Sequence, residues 1–175
     1  MAPNSAALKF LLVAGIIISV ANVANGLLET DMTFYLHDVS EGQNATFFPV
    51  AGIPGKLWSS TQFGTVYVHD DPITEGPDPN SAPVARAQGM HVVASSDGTS
   101  SLVMMSFVFT NEAYSGSTLQ IFGTNRQNEA VREVPVIAGT GKFRSASGYA
   151  MFQKYIDFPD AYSVIQCYIS IHYNI

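Results

Sequence analysis

The sequence predicts an all-β domain, either a two-sheet sandwich or an up-and-down antiparallel barrel. Three observations carry that expectation. Apolar residues recur at every second position over much of the chain, and no long segment repeats them with helical spacing. Clusters of Gly, Pro, Asn, Asp and Ser interrupt these runs at nearly even intervals, as in domains of about eight strands. Beyond an N-terminal leader the chain has roughly 150 residues, the ordinary size of one domain.

Residues 1–26 read as a secretory signal peptide. A single cation, Lys9, precedes the apolar run FLLVAGIIISV, and the small residues ANVANG offer a cleavage site near Ala24 or Gly26. The run is shorter than the roughly 20 residues of a membrane span, so residues 27–175 are expected to form one exported domain without a membrane anchor. Its strands are expected at Met32–Asp38, Gln62–Asp70, Gly89–Ser95, Ser101–Thr110, Ser117–Phe122, Val131–Ile137, Ser145–Lys154 and Ser163–His172, with a short one through Thr46–Val50. Ser96-Asp97-Gly98 and Asn111–Gly116 read as hairpin loops between antiparallel neighbours.

Composition excludes several classes. The net charge is −6 without a basic stripe, which disfavours nucleic acid and anionic membranes as partners. Cys167 is the only cysteine, so no disulfide can form within the chain and stability must come from packing, with or without self-association. Its place in an apolar alternating strand predicts a buried, inert thiol. AGTGK at 138–142 lacks the first Gly of a phosphate loop and has Phe143 where a magnesium-binding hydroxyl should stand. The four histidines fall singly on separate strands, so neither a metal nor another cofactor is expected. Asn44-Ala45-Thr46 is an N-glycosylation sequon in a polar stretch.

The strand faces raise the functional question. Phe34, Leu36 and Asp38 share one face of the first strand, and Val66, Val68 and Asp70 share one face of the second. A carboxylate ending an apolar row is either an acid at the end of an apolar cavity or a strand-end residue beginning a turn. His91 is either a core residue or a proton carrier in a pocket. Arg132 either pairs with Glu133 in solvent or anchors an anionic or phenolic oxygen. Tyr149, Phe152, Tyr155, Tyr162 and Tyr168 are core, with faces suited to a flat aromatic ligand.

Taken together, the blocks FYLHD, FGTVYVHDDPITEGPDPNSAPVARAQG, LVMMSFVFTNEAYSGSTLQIFGTN, VREVPVIAGTGKFRSASGYA and the terminal IHY resemble the plant dirigent family over essentially all of residues 27–175. The resemblance implies an eight-stranded antiparallel barrel related to allene oxide cyclase barrels, assembled as a trimer or dimer. It also implies secretion to the apoplast and a glycan on Asn44. Family members steer the coupling of phenoxy radicals supplied by a laccase or peroxidase, as in lignan and other phenylpropanoid biosynthesis, and do not themselves oxidise. A related branch handles quinone methides and includes isoflavanol dehydratases that form pterocarpans. A third alternative is a wall protein that retains a phenolic without chemistry.

By the same resemblance Asp38 is a pocket acid and Arg132 its cationic partner. Phe34, Leu36, His91, Asn125 and Tyr162 fall where substrate would bind. Asn125 stands where the family has a second Asp, and Asn cannot donate or take the proton a carboxyl would. His91 stands in the region of a family Tyr. Asp70 and Asp71, in DDPIT, are expected to close the barrel rim through turn hydrogen bonds.

Overall fold

The computed structural model describes residues 21–24, 27–158 and 161–174. Ten strands follow in chain order: β1 (Ala21–Ala24), β2 (Leu27–Val39), β3 (Phe47–Ala51), β4 (Val66–Thr74), β5 (Pro83–Val93), β6 (Ser100–Phe109), β7 (Thr118–Arg126), β8 (Val131–Thr140), β9 (Ser147–Phe158) and β10 (Tyr162–Asn174). Of the expected signal peptide only β1 is described, antiparallel to β2; the rest lies outside the described residues. One helical turn, Gly141–Phe143, separates β8 from β9.

The strands run β1-β2-β10-β9-β8-β7-β6-β5-β4-β3, every pair antiparallel. Pairing of β4 back onto β2, through Tyr35↔Thr74 and Leu36↔Ile73, closes the eight strands β2 and β4–β10 into a barrel. That closure removes the sandwich alternative and leaves β1 and β3 as flaps on its outside. Register shifts leave Val84 of β5, Ile137 of β8 and Tyr155 of β9 as the extra residues of bulges that let the sheet bend round.

Both expected hairpins are present, joining β5 to β6 and β6 to β7. The larger differences from the sequence expectation concern β4 and β5. The expected β4 stops at Asp70 because Pro72 lacks the N–H that a central strand needs. In the structure β4 continues through Pro72 to Thr74. Pro72 falls where β4 exchanges one neighbour for another, β3 pairing up to His69 and β2 beginning at Ile73. The missing N–H therefore breaks no ladder on that side. β5 begins at Pro83, a tolerated first residue, rather than at Gly89.

Moving the end of β4 also reassigns its faces. The buried row is Tyr67, His69, Asp71 and Ile73, while Val68 and Asp70 are exposed. Asp70 is therefore not an interior carboxylate. It lies on the outer wall, where it accepts a 2.5 Å bond from Arg86 Nε. Asp71, expected at the rim, is 2 % exposed and points inward.

Alternate residues of the barrel strands fill the interior. Phe34, Phe107, Phe109, Leu119, Ile121, Ile169 and Ile171 are among the fully buried side chains, each stabilising by roughly 1.5–3 kcal/mol relative to exposure. One end is plugged by aromatics. Phe143, carried in by the helical turn, lies 5.1 Å from Phe109, 5.0 Å from Tyr114 and 5.5 Å from Tyr173, centroid to centroid. The opposite end is overlain by the β3–β4 connection, residues 52–65. That loop is held by the β5–β6 hairpin: Gly98 has φ +74° and lies so close to the Thr61 carbonyl that no Cβ would fit. Cys167 is fully buried, and burial pushes its thiol pKa up, in keeping with an inert group.

Candidate functional site

A cavity of about 50 Å³ sits inside the end away from the plug. Its apolar wall includes Leu36, Val103, Met105, Val134, Phe152 and Ile165, and its polar wall is Asp38, His69, Asp71, His91, Asn125 and Arg132. Above it a mouth of about 130 Å³ shares Asp38, His91, Asn125, Arg132 and Ile165 and adds Ser60 from the overlying loop. Since liquid water takes about 30 Å³ per molecule, the inner chamber suits one reacting end of a ligand and the mouth its remainder.

Strand parity brings the polar groups together from five strands. Asp38 ends the inward row of β2, and Arg132 begins that of β8 with Val134 and Val136. His91 follows Ala85 and Ala87 on β5, and Asn125 follows Leu119 and Ile121 on β7. His69 and Asp71 come from β4, whose pairing with β2 ends at Leu36↔Ile73. Beyond that point Thr46 bridges the two strands. Its Oγ1 donates a 2.5 Å bond to Asp71 Oδ1 and accepts a 3.1 Å bond from the Val39 N–H.

The electrostatics follow from this crowding. Asp38 is raised from 3.8 to about 7, chiefly by burial and then by the Asp71 carboxylate, against smaller opposing pulls from His69 and Arg132. At neutral pH it is therefore divided between acid and carboxylate, as a proton-transfer group should be. Burial lowers the Arg132 pKa and Asp38 opposes that shift. Neither side chain is held by a hydrogen bond to another described residue. His91 is lowered from 6.5 to about 3 by burial, with smaller contributions from His69 and Arg132. It is neutral under ordinary conditions, which makes it an acceptor or neutral donor rather than a proton reservoir.

His69 is 6 % exposed, its Nδ1 lies 3.1 Å from Asp71 Oδ2, and its ring meets His91 edge-on at 4.9 Å. Asn125 Nδ2 donates a 3.4 Å bond to Ser101 Oγ. Among the described residues no group of three or more His, Cys, Asp and Glu is arranged to hold a metal ion.

Five of the seven expected pocket residues thus meet at the cavity: Asp38, Arg132, Leu36, His91 and Asn125. Phe34 lies deeper, fully buried with its ring 6.1 Å from Phe109, and belongs to the core. Tyr162 faces outward. Its hydroxyl is 2.6 Å from His37 Nδ1 and its ring stacks 5.1 Å from Phe158. The even-numbered positions of β10 point away from the cavity that Ile165 lines, which separates Tyr162 from it. Of the aromatics crowding β9 and β10, Phe152 alone lines the cavity, while Tyr149 and Tyr155 are exposed. His69 and Asp71 escape the sequence reading, which ends β4 at Asp70 and follows the face of Val66, Val68 and Asp70. The signal was alternation itself, since continuing it through Pro72 places both on the face of Tyr67 and Ile73. Asn44 is exposed, just before β3.

A closed antiparallel barrel with an acid, an arginine and two histidines around an apolar chamber defines a class: barrels that enclose one small ligand beside groups able to move a proton. The chain belongs to the dirigent family, whose model, described as Dirigent-like protein, matches residues 29–172. It is 37 % identical to Dirigent protein 1 of Arabidopsis thaliana over 146 residues, 83 % of this chain and 76 % of that protein. It is also 37 % identical to Pterocarpan synthase 1 of Glycyrrhiza echinata over 147 residues, 82 % of this chain and 78 % of that one. A solved pterocarpan synthase dirigent protein superposes with a TM-score of 0.78 at 35 % identity, covering 85 % of this chain and 92 % of its own.

Proposed function

We propose that the barrel takes a plant phenolic through a quinone methide and fixes the face on which the methide reacts. The observation that carries this reading is Asp38, a carboxyl poised at about pH 7 in an apolar chamber that also holds Arg132. In the dehydration of an isoflavanol, Asp38 gives its proton to the departing hydroxyl. Arg132 steadies the phenolic oxygen through which charge flows, and the narrow chamber admits one orientation. Similarity to pterocarpan synthases in sequence and fold supports this reading. The unbonded guanidinium of Arg132 also suits a second reading, in which the barrel orients phenoxy radicals that a separate laccase or peroxidase supplies.

Two incubations distinguish the readings. Racemic isoflavanol with the protein alone, analysed by chiral chromatography, should yield one enantiomer of a cyclised, dehydrated product. Coniferyl alcohol with a laccase should instead shift from racemic to enriched dimer under the second reading, without a change in oxidation rate. Arg132→Leu should return either product toward racemic. Racemic outcomes in both incubations would leave only a retaining, non-reacting pocket.

The outer wall supports self-association. Phe48, Val68, Met90, Met104 and Phe122 are register partners on successive strands β3 to β7, share the outward face and are each 36–48 % exposed. An unbroken apolar row across five strands is what a second copy would cover. Sedimentation of the deglycosylated protein should give a trimer or dimer, and Met104→Asp should give monomers. A monomeric wild type at micromolar concentration would remove this proposal. Export to the apoplast and a glycan on the exposed Asn44 complete the proposed setting.

A further inference from the structure

We propose that His69, oriented by Asp71, is the base of this chamber, taking a phenolic proton on Nε2 and standing in for the carboxyl that Asn125 cannot provide. The inference rests on the quinone-methide reading above and names a catalytic residue for it. Three features of the molecule carry it. His69 and Asp71 are both almost fully enclosed in the wall of the cavity, joined at 3.1 Å through Nδ1. Asp71 is itself anchored by Thr46 through its other oxygen, so the acceptor presented to His69 is fixed in place. His69 Nε2 is buried without a hydrogen-bond partner among the described residues. A buried ring nitrogen left unsatisfied costs stability, and a reacting group in the cavity would supply the missing bond.

Each half of the pair has a definite role. Asp71 accepts from Nδ1–H, which holds the imidazole in the tautomer whose Nε2 carries a bare lone pair. Thr46 donates to Asp71 Oδ1, which leaves Oδ2 turned to His69. Asp71 is thus a positioning residue acting through His69. Asn125 donates an amide hydrogen to Ser101, and its neutral amide cannot take up a proton as a carboxylate would. The groups facing His69 are Asp71 on its own strand, His91 on β5, Asp38 on β2 and Arg132 on β8.

The steps balance without a co-reactant. The phenolic proton passes to His69 Nε2, and the electron pair released expels the benzylic hydroxyl. That hydroxyl takes the Asp38 proton and leaves as water, giving a neutral quinone methide beside imidazolium and carboxylate. A second hydroxyl of the same molecule then attacks the methide carbon, its proton passes to Asp38, and the regenerated phenolate takes back the His69 proton. Both residues end as they began, with loss of one water.

The test has an activity arm and a binding arm. In the first, kcat/KM for isoflavanol is followed against pH for wild type, His69→Gln and Asp71→Asn. Wild type should lose activity on the acid side, because a general base must arrive with its lone pair free. His69→Gln should fall by about a hundredfold or more and lose that acid limb. Asp71→Asn should lower kcat more than it raises KM. His91, neutral down to about pH 3, cannot supply the limb. In the second arm, ¹⁵N NMR of wild-type protein needs no variant to fold. It should show His69 carrying its hydrogen on Nδ1, with an Nε2 signal that moves on addition of 4-nitrophenol. Hydrogen on Nε2, an Nε2 signal unmoved at saturating 4-nitrophenol, or an active His69→Gln with its acid limb intact would each overturn the assignment. A wild type inert toward isoflavanol would instead defeat the dehydration reading, leaving the NMR arm to decide on His69.

Discussion

Asp38→Asn is expected to lower turnover, or the enantiomeric excess it produces, by about two to four orders of magnitude while the barrel remains folded. Asn keeps the size and polarity of the side chain and removes its proton. The same substitution should alter stability in the opposite sense. Folded Asp38 titrates at about 7 against 3.8 for the free group, so between those values the folded chain holds a proton the unfolded chain has released. Stability from this group is therefore greatest below the lower value and declines as pH rises through the window. His91 works the other way. With its pKa lowered from 6.5 to about 3, the unfolded chain takes up a proton that the folded one refuses, and stability rises with pH across that interval. The two slopes oppose each other in wild type. Asp38→Asn removes one of them, so denaturant titrations should find the variant more stable than wild type at pH 8 and closest to it near pH 4. A folded variant with wild-type turnover would take Asp38 out of the mechanism.

Phe34→Ala should cost about 3–5 kcal/mol, the usual range for emptying a buried aromatic site. Phe34 is 0 % exposed and packs edge-on to Phe109, above the aromatic plug. The loss should appear as a lower denaturant midpoint with an unchanged slope. A substitution that spared stability but weakened phenolic binding would return Phe34 to the ligand site, where the family resemblance had put it. Leu36, two positions on, lines the chamber itself.

Much of this architecture is legible in the sequence because a barrel strand has a simple period. Phe34, Leu36 and Asp38 fall on one face by counting, and the structure keeps them there. Closure is not legible in that way, since sandwich and barrel share the same alternation and differ only in whether β4 meets β2. Proline misled at β4. A local rule ends a strand there, whereas the fold places Pro72 between two neighbours, where its missing N–H breaks no ladder. That single misplaced end kept Asp71 at the rim beside Asp70 and concealed the inward face that it shares with His69. Tyr162 failed for a different reason. An aromatic that opens β10 fits either face, and its bond to His37 on the outer wall depends on residues 125 positions apart. Arg132 and Glu133 read as a solvent pair locally; only the inward row with Val134 and Val136 separates them.

The aromatic plug around Phe143 has a consequence for traffic. A tube stopped at one end has a single doorway, so whatever is last to enter blocks whatever entered first. The hydroxyl or ring that reaches Asp38 must be led in head-first and withdrawn by the same route. The loop at residues 52–65, pinned by Gly98 at Thr61, lies beside that doorway. In such a blind alley, on the reading proposed above, a molecule that enters the wrong way round cannot turn, and must back out before it can try again.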